Sequence, residues 1–403
     1  MNLLHEYIKE LILEQSPIRM RLNMRVPNDV RKIADLFKTA NKEFYIVGGA
    51  VRDTLMNKTP KDYDLATNAQ PQEVIDILSQ DPELRVKPVG EAFGVILVKT
   101  PESTEGYEIA TFRKDIGSGR RPEAVEFTSI ESDVKRRDLT INALFYDMNS
   151  GEVVDYVGGI EDIKNGVIRA VGDPSQRFQE DKLRILRAVR FAAKLGSDLD
   201  PKTKDAILQD NDLEGVTPER IRDELIKGMA SAKSINHLLE MLEDLNLYPQ
   251  IFPGLNVNTN TKTEIKNIPA QLALMLSDND QENITQTLKS MKYTNNEISA
   301  IKFLVSFSMI DKSSAPIMKK EFNRIRLDHN TLREYAQAAG ISQKAIDVFV
   351  KFASSPPAVS AQDLMSQGLE GPEIGKAMQS AESDAYAMML KELREYIRTI
   401  LTA

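Results

Sequence analysis

Phe44-Tyr45-Ile46-Val47-Gly48-Gly49-Ala50-Val51-Arg52-Asp53 and, shortly after it, Lys61-Asp62-Tyr63-Asp64-Leu65-Ala66-Thr67 are the stretches whose reading decides the fold. The first is a short apolar strand that runs through two glycines straight into a helix. Glycines at that corner let the backbone approach a ligand closely, and free N–H groups at a helix start attract phosphate, with Arg52 one turn in to reach the same anion. Taken alone, a Gly-Gly turn also describes a plain strand-to-helix corner, and it lacks the Gly-x-Gly-x-x-Gly spacing of a dinucleotide site. In the second stretch Asp62 and Asp64 are two residues apart, so on a strand both carboxylates project to one side. Paired hard oxygen donors suit Mg²⁺. A solvated acidic turn has the same sequence, so the neighbours must decide.

Working outward, the pattern changes every 10 to 15 residues between about 26 and 150. Helical spacing over Val30–Phe37 precedes the first strand. A helix is expected from Pro71 to Ser79, then strands over Gly94–Thr100, Tyr107–Phe112 and Val125–Ser129, an α+β unit with a small mixed sheet. Glu108 sits in the apolar strand Tyr107-Glu108-Ile109-Ala110-Thr111-Phe112, where a carboxylate is costly unless paired or near a metal. Lys135-Arg136-Arg137-Asp138 could bind phosphate through arginine and a ribose hydroxyl through aspartate, or be a solvated charge run.

From about residue 160 the strand signals thin out and helical spacing takes over, with joints at Gly196-Ser197, Pro253-Gly254, Ala315-Pro316 and Ser354-Ser355-Pro356-Pro357. Within Asp173–Phe191, Asp181, Arg184, Arg187 and Arg190 follow one another at intervals of three, which on a helix presents an acceptor and then guanidinium donors on one face. A salt-bridge ladder on an exposed helix is the alternative, although Arg187 and Arg190 have no acid three or four residues upstream.

Composition narrows the chemistry. At roughly 150 residues per domain, 403 residues make two to three domains, and 41% hydrophobic with 28% charged residues is a soluble globular balance. With no cysteine and only three histidines, disulfide frameworks, thiolate zinc sites and cysteine nucleophiles are excluded. Carboxylates and arginines are left to do the work. The net charge of −8 argues against a chain-wide polyanion binder, yet Arg177–Lys194 carries six basic residues against two acidic, a local +4. The N-terminus has amphipathic spacing interrupted by Glu6, Lys9, Glu10 and Glu14, unlike a secretory signal, and no apolar run approaches the roughly 20 residues of a membrane span. No membrane association and a cytoplasmic location are expected.

Six pieces together resemble the class II tRNA nucleotidyltransferase and bacterial poly(A) polymerase family of the polymerase-beta superfamily. They are Gly48–Asp53, Lys61–Thr67, Arg136-Arg137-Asp138-Leu139-Thr140-Ile141-Asn142-Ala143, Asp155-Tyr156-Val157-Gly158-Gly159, Arg177-Phe178 with Glu180-Asp181-x-x-Arg184, and Val216-Thr217-Pro218-Glu219-Arg220-Ile221, in the family's order over about residues 42–228. Beyond residue 230 only the helical pattern speaks. Two departures are modest: Met56-Asn57 replaces the usual Leu-Gly, and Leu139 stands where Phe is common.

The resemblance implies an α+β nucleotidyltransferase head followed by an all-α neck, body and tail. The expected divisions are an N-terminal helical extension (1–25), head (26–150), neck (151–228), body (229–330) and tRNA-binding tail (331–403). It implies two Mg²⁺ ions on Asp62 and Asp64 with Glu108 as third acid, Gly49 and Arg52 at the triphosphate, and Arg137 with Asp138 at the phosphate and ribose. Asp181 and Arg184 would read the base, with Arg187 and Arg190 steadying the pocket or the phosphates. Cytosine and adenine each present an amino donor beside a ring-nitrogen acceptor. A carboxylate and a guanidinium match that pair and mismatch uracil and guanine. The implied partners are the tRNA 3′ end, CTP and ATP, and the expected state is a monomer or weak dimer. The strand Val86–Val98 has the tRNA-type form and Phe112–Pro122 is similar to the loop used for terminal A addition. The first favours C, C and A addition over a poly(A) polymerase, the second disfavours a CC-only enzyme while leaving an A-only enzyme open, and the presence of Asp62, Asp64, Glu108, Asp181 and Arg184 together disfavours a non-catalytic tRNA binder.

Overall fold

The computed structural model describes residues 17–90, 94–103, 105–116, 124–260, 263–307, 310–311 and 313–402. The expected helix at the extreme N-terminus, residues 91–93 of the Val86–Val98 stretch and residues 117–122 of the adenine-adding loop lie outside the described residues. The chain divides into two units, Met1–Val216 and Thr217–Ala403.

The first unit is built on one mixed sheet. Its strands, in chain order, are β1 (Ile18–Arg21), β2 (Phe44–Val47), β3 (Asp64–Thr67), β4 (Arg85–Gly90), β5 (Val95–Lys99) and β6 (Tyr107–Thr111). A separate hairpin, β7 (Arg113–Ile116) with β8 (Ala124–Phe127), precedes β9 (Phe145–Asp147) and β10 (Glu152–Asp155). The order across the sheet is β1-β10-β9-β2-β3-β6-β5-β4, and only β3 and β6 run parallel. The sheet is thus larger than the sequence suggests, and Val125–Ser129 pairs with β7 rather than joining it. Proline is tolerated at an edge, which is where β4 places Pro88.

β2 is buried along its whole length because both faces of the sheet are covered there. Phe44 and Ile46 join Leu65, Ile109, Val30, Ile33 and Phe37 on one face. Tyr45 and Val47 join Ala66, Phe112, Val134 and Phe145 on the other. Helices α1 (Asn28–Thr39), α2 (Gly49–Leu55) and α3 (Pro71–Leu78) supply the first cover, and α4 (Ile130–Lys135) contributes Val134 to the second. Asn57 ends the turn after α2 with φ 57, the left-handed conformation for which asparagine substitutes well.

Two expected boundaries shift. Ile18–Arg21 is a strand, not part of a helical extension, because it caps the outer edge of β10 in the register Ile18↔Asp155. The head does not end at 150, because Asn149–Gly151 is the turn of a hairpin whose second strand, β10, belongs to the sheet. Asp155 then closes a tight loop by accepting the N–H groups of Val157, Gly158 and Ile160 at 2.9 Å each, which starts α5 (Gly159–Asn165). A Cβ on Gly159 would lie 2.2 Å from the carbonyl oxygen of Thr140, so only glycine fits. Gly159→Ala is expected to cost about 1–3 kcal/mol of stability, measured as a lowered midpoint in urea; an unchanged midpoint would refute this close approach.

After α5 the first unit continues with the two-residue strands β11 (Val167–Ile168) and β12 (Asp198–Leu199), which pair in parallel, so the neck is not wholly helical. Around them lie α6 (Pro174–Glu180), α7 (Leu183–Leu195) and α8 (Pro201–Gln209). Gly196 ends α7 with φ 62, as its place at an expected joint suggests.

The second unit is all-helical among its described residues, and ends in a helix of 31 residues, Pro372–Thr402. Phe303, Phe307, Phe322 and Phe349 pack ring against ring at its centre, with centroids 5.0–6.2 Å apart. The expected divisions at 228 and 330 fall inside continuous helices, Pro218–Ser231 and His329–Ala338. Proline at the first turn of Pro218–Ser231 starts that helix directly after the division at residues 216 and 217.

Candidate active site

A cleft of about 430 Å³ opens in the first unit, lined by Gly48, Gly49, Arg52, Asp64, Arg136, Arg137, Asp138, Asn142, Asp181, Arg184, Arg187, Phe191 and Lys194. It gathers eight of the eleven residues singled out from the sequence; Asp62, Glu108 and Arg190 are not in its lining. Among the described residues, six of the lining side chains are cationic and three are carboxylates. The acidic chain therefore encloses a positively charged cleft.

The glycine corner forms one wall. Gly48 has φ 66 and ψ −120, a conformation that excludes side chains, and its N–H donates to the Leu144 carbonyl at 3.0 Å. Gly49 differs: an added Cβ would meet nothing nearer than Arg52 Nη2 at 3.6 Å, so what a side chain would fill there is the cleft itself. Arg52 is buried and held by Asp53 and by the Asn142 side-chain oxygen.

The acids stand at the start of neighbouring strands. Leu65 pairs with Ile109 across the parallel β3–β6 ladder, so one residue earlier Asp64 and Glu108 come side by side on the sheet face opposite Leu65 and Ile109. Both are exposed. Asp62 departs from expectation: β3 begins at Asp64, and Asp62 lies in the approach to it, beyond the reach of strand alternation. That approach is anchored by the Tyr63 hydroxyl, which donates to the Arg25 carbonyl at 2.9 Å. Among the described residues no three carboxylate or imidazole side chains are drawn into one metal-ligand group. The donor chemistry still fits a hard cation. Loss of water around Asp64 pushes its carboxyl above the usual range; Arg137 opposes the shift and the negative charge of Asp62 adds to it. A cation between the two acids would relieve both causes.

On the far wall the stretch expected as a single helix is two. Asp181 breaks it, extended at φ −153 and ψ 103 between α6 and α7, and its carboxylate accepts the Leu183 N–H at 3.1 Å to start the second helix. Asp181 thus reaches the cleft beside Arg184 and Arg187 from a helix cap rather than from a shared helical face. Arg184 is pinned three times, by the Glu180 carboxylate at 2.6 Å and by the carbonyls of Arg177 and Arg136 at 3.1 and 3.0 Å. Glu180 also binds Arg177, whose guanidinium donates to the Lys135 carbonyl. Arg187, which lacks an acid nearby in sequence, takes one from far away, with Nε 2.7 Å from the Asp138 carboxylate. Burial would raise the Asp138 carboxyl, but Arg187 outweighs it and holds Asp138 below the usual carboxylate range. Asp133 behaves alike: burial is outweighed by Arg137 and Arg136, which both bind it. Each of the five arginines that line the cleft among the described residues is therefore tethered to a carboxylate of the chain.

Sequence reasoning missed Asp133 and Phe191, and gave no role to Glu180, which stands in the quoted motif, or to Lys194, which ends the basic cluster. The spacing of Asp133 to Arg136 and Arg137, and of Glu180 to Arg184, was a usable signal. Phe191 gave none, because a phenylalanine in an amphipathic helix reads as core. Its ring instead collects Arg190 at 4.3 Å, Arg52 at 5.1 Å, and Arg187 and Lys194 at 5.8 Å each.

A family profile described as "Poly A polymerase head domain" matches residues 44–169, and one described as "Probable RNA and SrmB- binding site of polymerase A" matches residues 197–258. With the mixed sheet and its glycine corner, these matches define a nucleotidyltransferase head with a helical continuation. A CCA-adding enzyme of Lactobacillus helveticus is 31% identical over 371 residues, 86% of this chain and 89% of that protein. One of Bacillus subtilis is 44% identical over 208 residues, half of each chain. The crystal structure of the Bacillus stearothermophilus CCA-adding enzyme in complex with CTP superposes with a TM-score of 0.69 at 27% identity, covering 93% of this chain and all of that one. The chain belongs to the family of CCA-adding enzymes, and it is an enzyme of that family.

Proposed function

We propose that this chain adds C, C and A in turn to the 3′ end of tRNA, using CTP and ATP and releasing pyrophosphate. What carries the reading is that one cleft brings the glycine corner and Asp64 of the head together with Asp181 and Arg184 of the neck. Phosphate handling and base reading then fall on one nucleotide.

Asp181 accepts the exocyclic amino group of cytosine or adenine, and Arg184 donates to the adjacent ring nitrogen. Three of the five guanidinium N–H donors of Arg184 are committed to Glu180, Arg177 and Arg136, so two remain for a base, in a fixed direction. Uracil or guanine would set carbonyl against carboxylate and N–H against guanidinium, leaving desolvated groups unpaired. The backbone at Gly48-Gly49 and the guanidinium of Arg52 receive the triphosphate, and Arg137 and Asp138 receive phosphate and ribose. The 3′-hydroxyl of the RNA attacks the α-phosphorus and releases its proton to water; the new O–P bond forms as the bond from the α-phosphorus to the bridging oxygen of the β-phosphate breaks, and pyrophosphate leaves with that electron pair. Asp62 and Asp64, with Glu108 beside Asp64, would hold Mg²⁺, two ions by the family resemblance, which when bound lowers the pKa of an attacking hydroxyl and neutralises charge on the phosphates.

Incubation of the protein with tRNA lacking its 3′ end, Mg²⁺ and each labelled triphosphate tests this directly. Two C and one A followed by arrest is the expected result. A long A tract would replace it with a poly(A) polymerase, A alone with an A-only enzyme, and no incorporation with a tRNA binder.

A further inference from the structure

We propose that Lys194 is a nucleotide-binding residue, seating the terminal phosphates of the incoming triphosphate and the pyrophosphate that departs. The inference rests on the reading of the cleft as a nucleotide site and extends it to a residue that neither the sequence motifs nor the base-reading argument uses.

Three observations carry it. Lys194 lines the cleft, and among the described residues it is the one lining cation without an ion-paired carboxylate: the five arginines are tethered, whereas the Lys194 ammonium lies 5.8 Å from the centre of the Phe191 ring. An ammonium that is not ion-paired within the chain is open to an incoming anion. Second, it stands in a crowd of like charge, since Arg52, Arg187 and Arg190 meet the same ring. Burial, then Arg52, Arg190 and Lys58, push the ammonium pKa down, while Asp53 pulls it up. A phosphate would relieve that imbalance. Third, Arg184 and Lys194 are ten residues apart on α7, which at 1.5 Å per residue is about 15 Å along the axis. That is close to the span of an extended nucleoside triphosphate from base edge to terminal phosphate. The helix that carries the base-reading guanidinium at its start thus carries an unpaired cation where the phosphate tail would end.

The test uses the full-length protein and inorganic pyrophosphate as the probe. Affinity for pyrophosphate is measured by calorimetry in the presence of Mg²⁺, and KM for CTP and ATP on tRNA acceptors, for wild type, Lys194→Met and Lys194→Arg. Loss of a charge-assisted contact is expected to weaken pyrophosphate binding roughly 10- to 100-fold in Lys194→Met. KM should rise by the same factor for CTP and ATP, with rejection of UTP and GTP unchanged, whereas Lys194→Arg keeps most of the affinity. The proposal is overturned if Lys194→Met, melting like wild type, binds pyrophosphate as wild type does, if only one nucleotide is affected, or if Lys194→Arg fails as fully as Lys194→Met. Should Lys194→Met not fold, Lys194→Gln takes its place under the same criteria. If wild type binds pyrophosphate through Lys194 yet adds nothing to tRNA, the tRNA reading fails and this assignment stands.

Discussion

Asp64→Asn stops nucleotide transfer and, in metal-free protein, raises the melting temperature. The first effect follows from removing a donor oxygen and a negative charge where the proposed Mg²⁺ would sit; several kcal/mol of transition-state stabilisation, a fall of about 10³-fold or more in kcat/KM, depend on it. The second follows from the carboxyl standing above its ordinary pKa, chiefly through lost hydration, with Asp62 adding to the shift against Arg137. A group whose folded-state pKa is raised penalises the folded state when ionised. That penalty is fully present above the raised pKa and vanishes as pH falls below the ordinary carboxylate range. The stabilisation by asparagine should therefore be seen at neutral pH in a chelator and disappear in acid. Thermal melts of both proteins across pH check it; a neutral-pH melting temperature below that of wild type would contradict the assignment of strain to this carboxylate.

Asp181→Ala is expected to lose the preference for CTP and ATP over UTP and GTP, by about 10²-fold in the ratio of kcat/KM values, since a mismatched buried polar pair costs about 1–3 kcal/mol. The carboxylate also starts α7 by accepting the Leu183 N–H, so the alanine variant weakens a cap as well. Asp181→Asn separates the two roles, because its side-chain oxygen can still cap while its charge is gone. Competition between triphosphates in one reaction gives the ratio directly. A variant that still excluded UTP and GTP would remove Asp181 from base reading.

Much of this site is legible in the sequence because it is local. The strand, the glycine pair and the helix that follows are contiguous, and their geometry is set by the positive φ that only Gly48 supplies. What escapes is what depends on residues distant in sequence. The strand Ile18–Arg21 is four residues of alternating character, and only its pairing with β10, more than 130 residues on, makes it a strand. The turn at Asn149–Gly151 has the composition of a joint, and only the sheet shows it to be a hairpin. Arg187 has no acid within a helical turn, and its partner Asp138 is 49 residues upstream. The break at Asp181 lies within a run of good helix formers, where the side-chain bond to Leu183 competes with the helical backbone.

If the cleft binds nucleotide as proposed, the tethering of each lining arginine among the described residues widens the genetic target of nucleotide recognition. Asp53, Asp133 and Glu180 are absent from the lining of the cleft, yet each fixes where a guanidinium inside it points. In a saturation screen for loss of addition or for misincorporation, these three acids should score beside the arginines they hold. Asp133 should be the most sensitive of them, because one substitution there releases two lining arginines at once, whereas Glu180 holds one, Arg184, together with Arg177 outside the lining. On the proposed reading, the vocabulary of the enzyme, which bases it will write, is stored partly in residues outside the lining of the cleft.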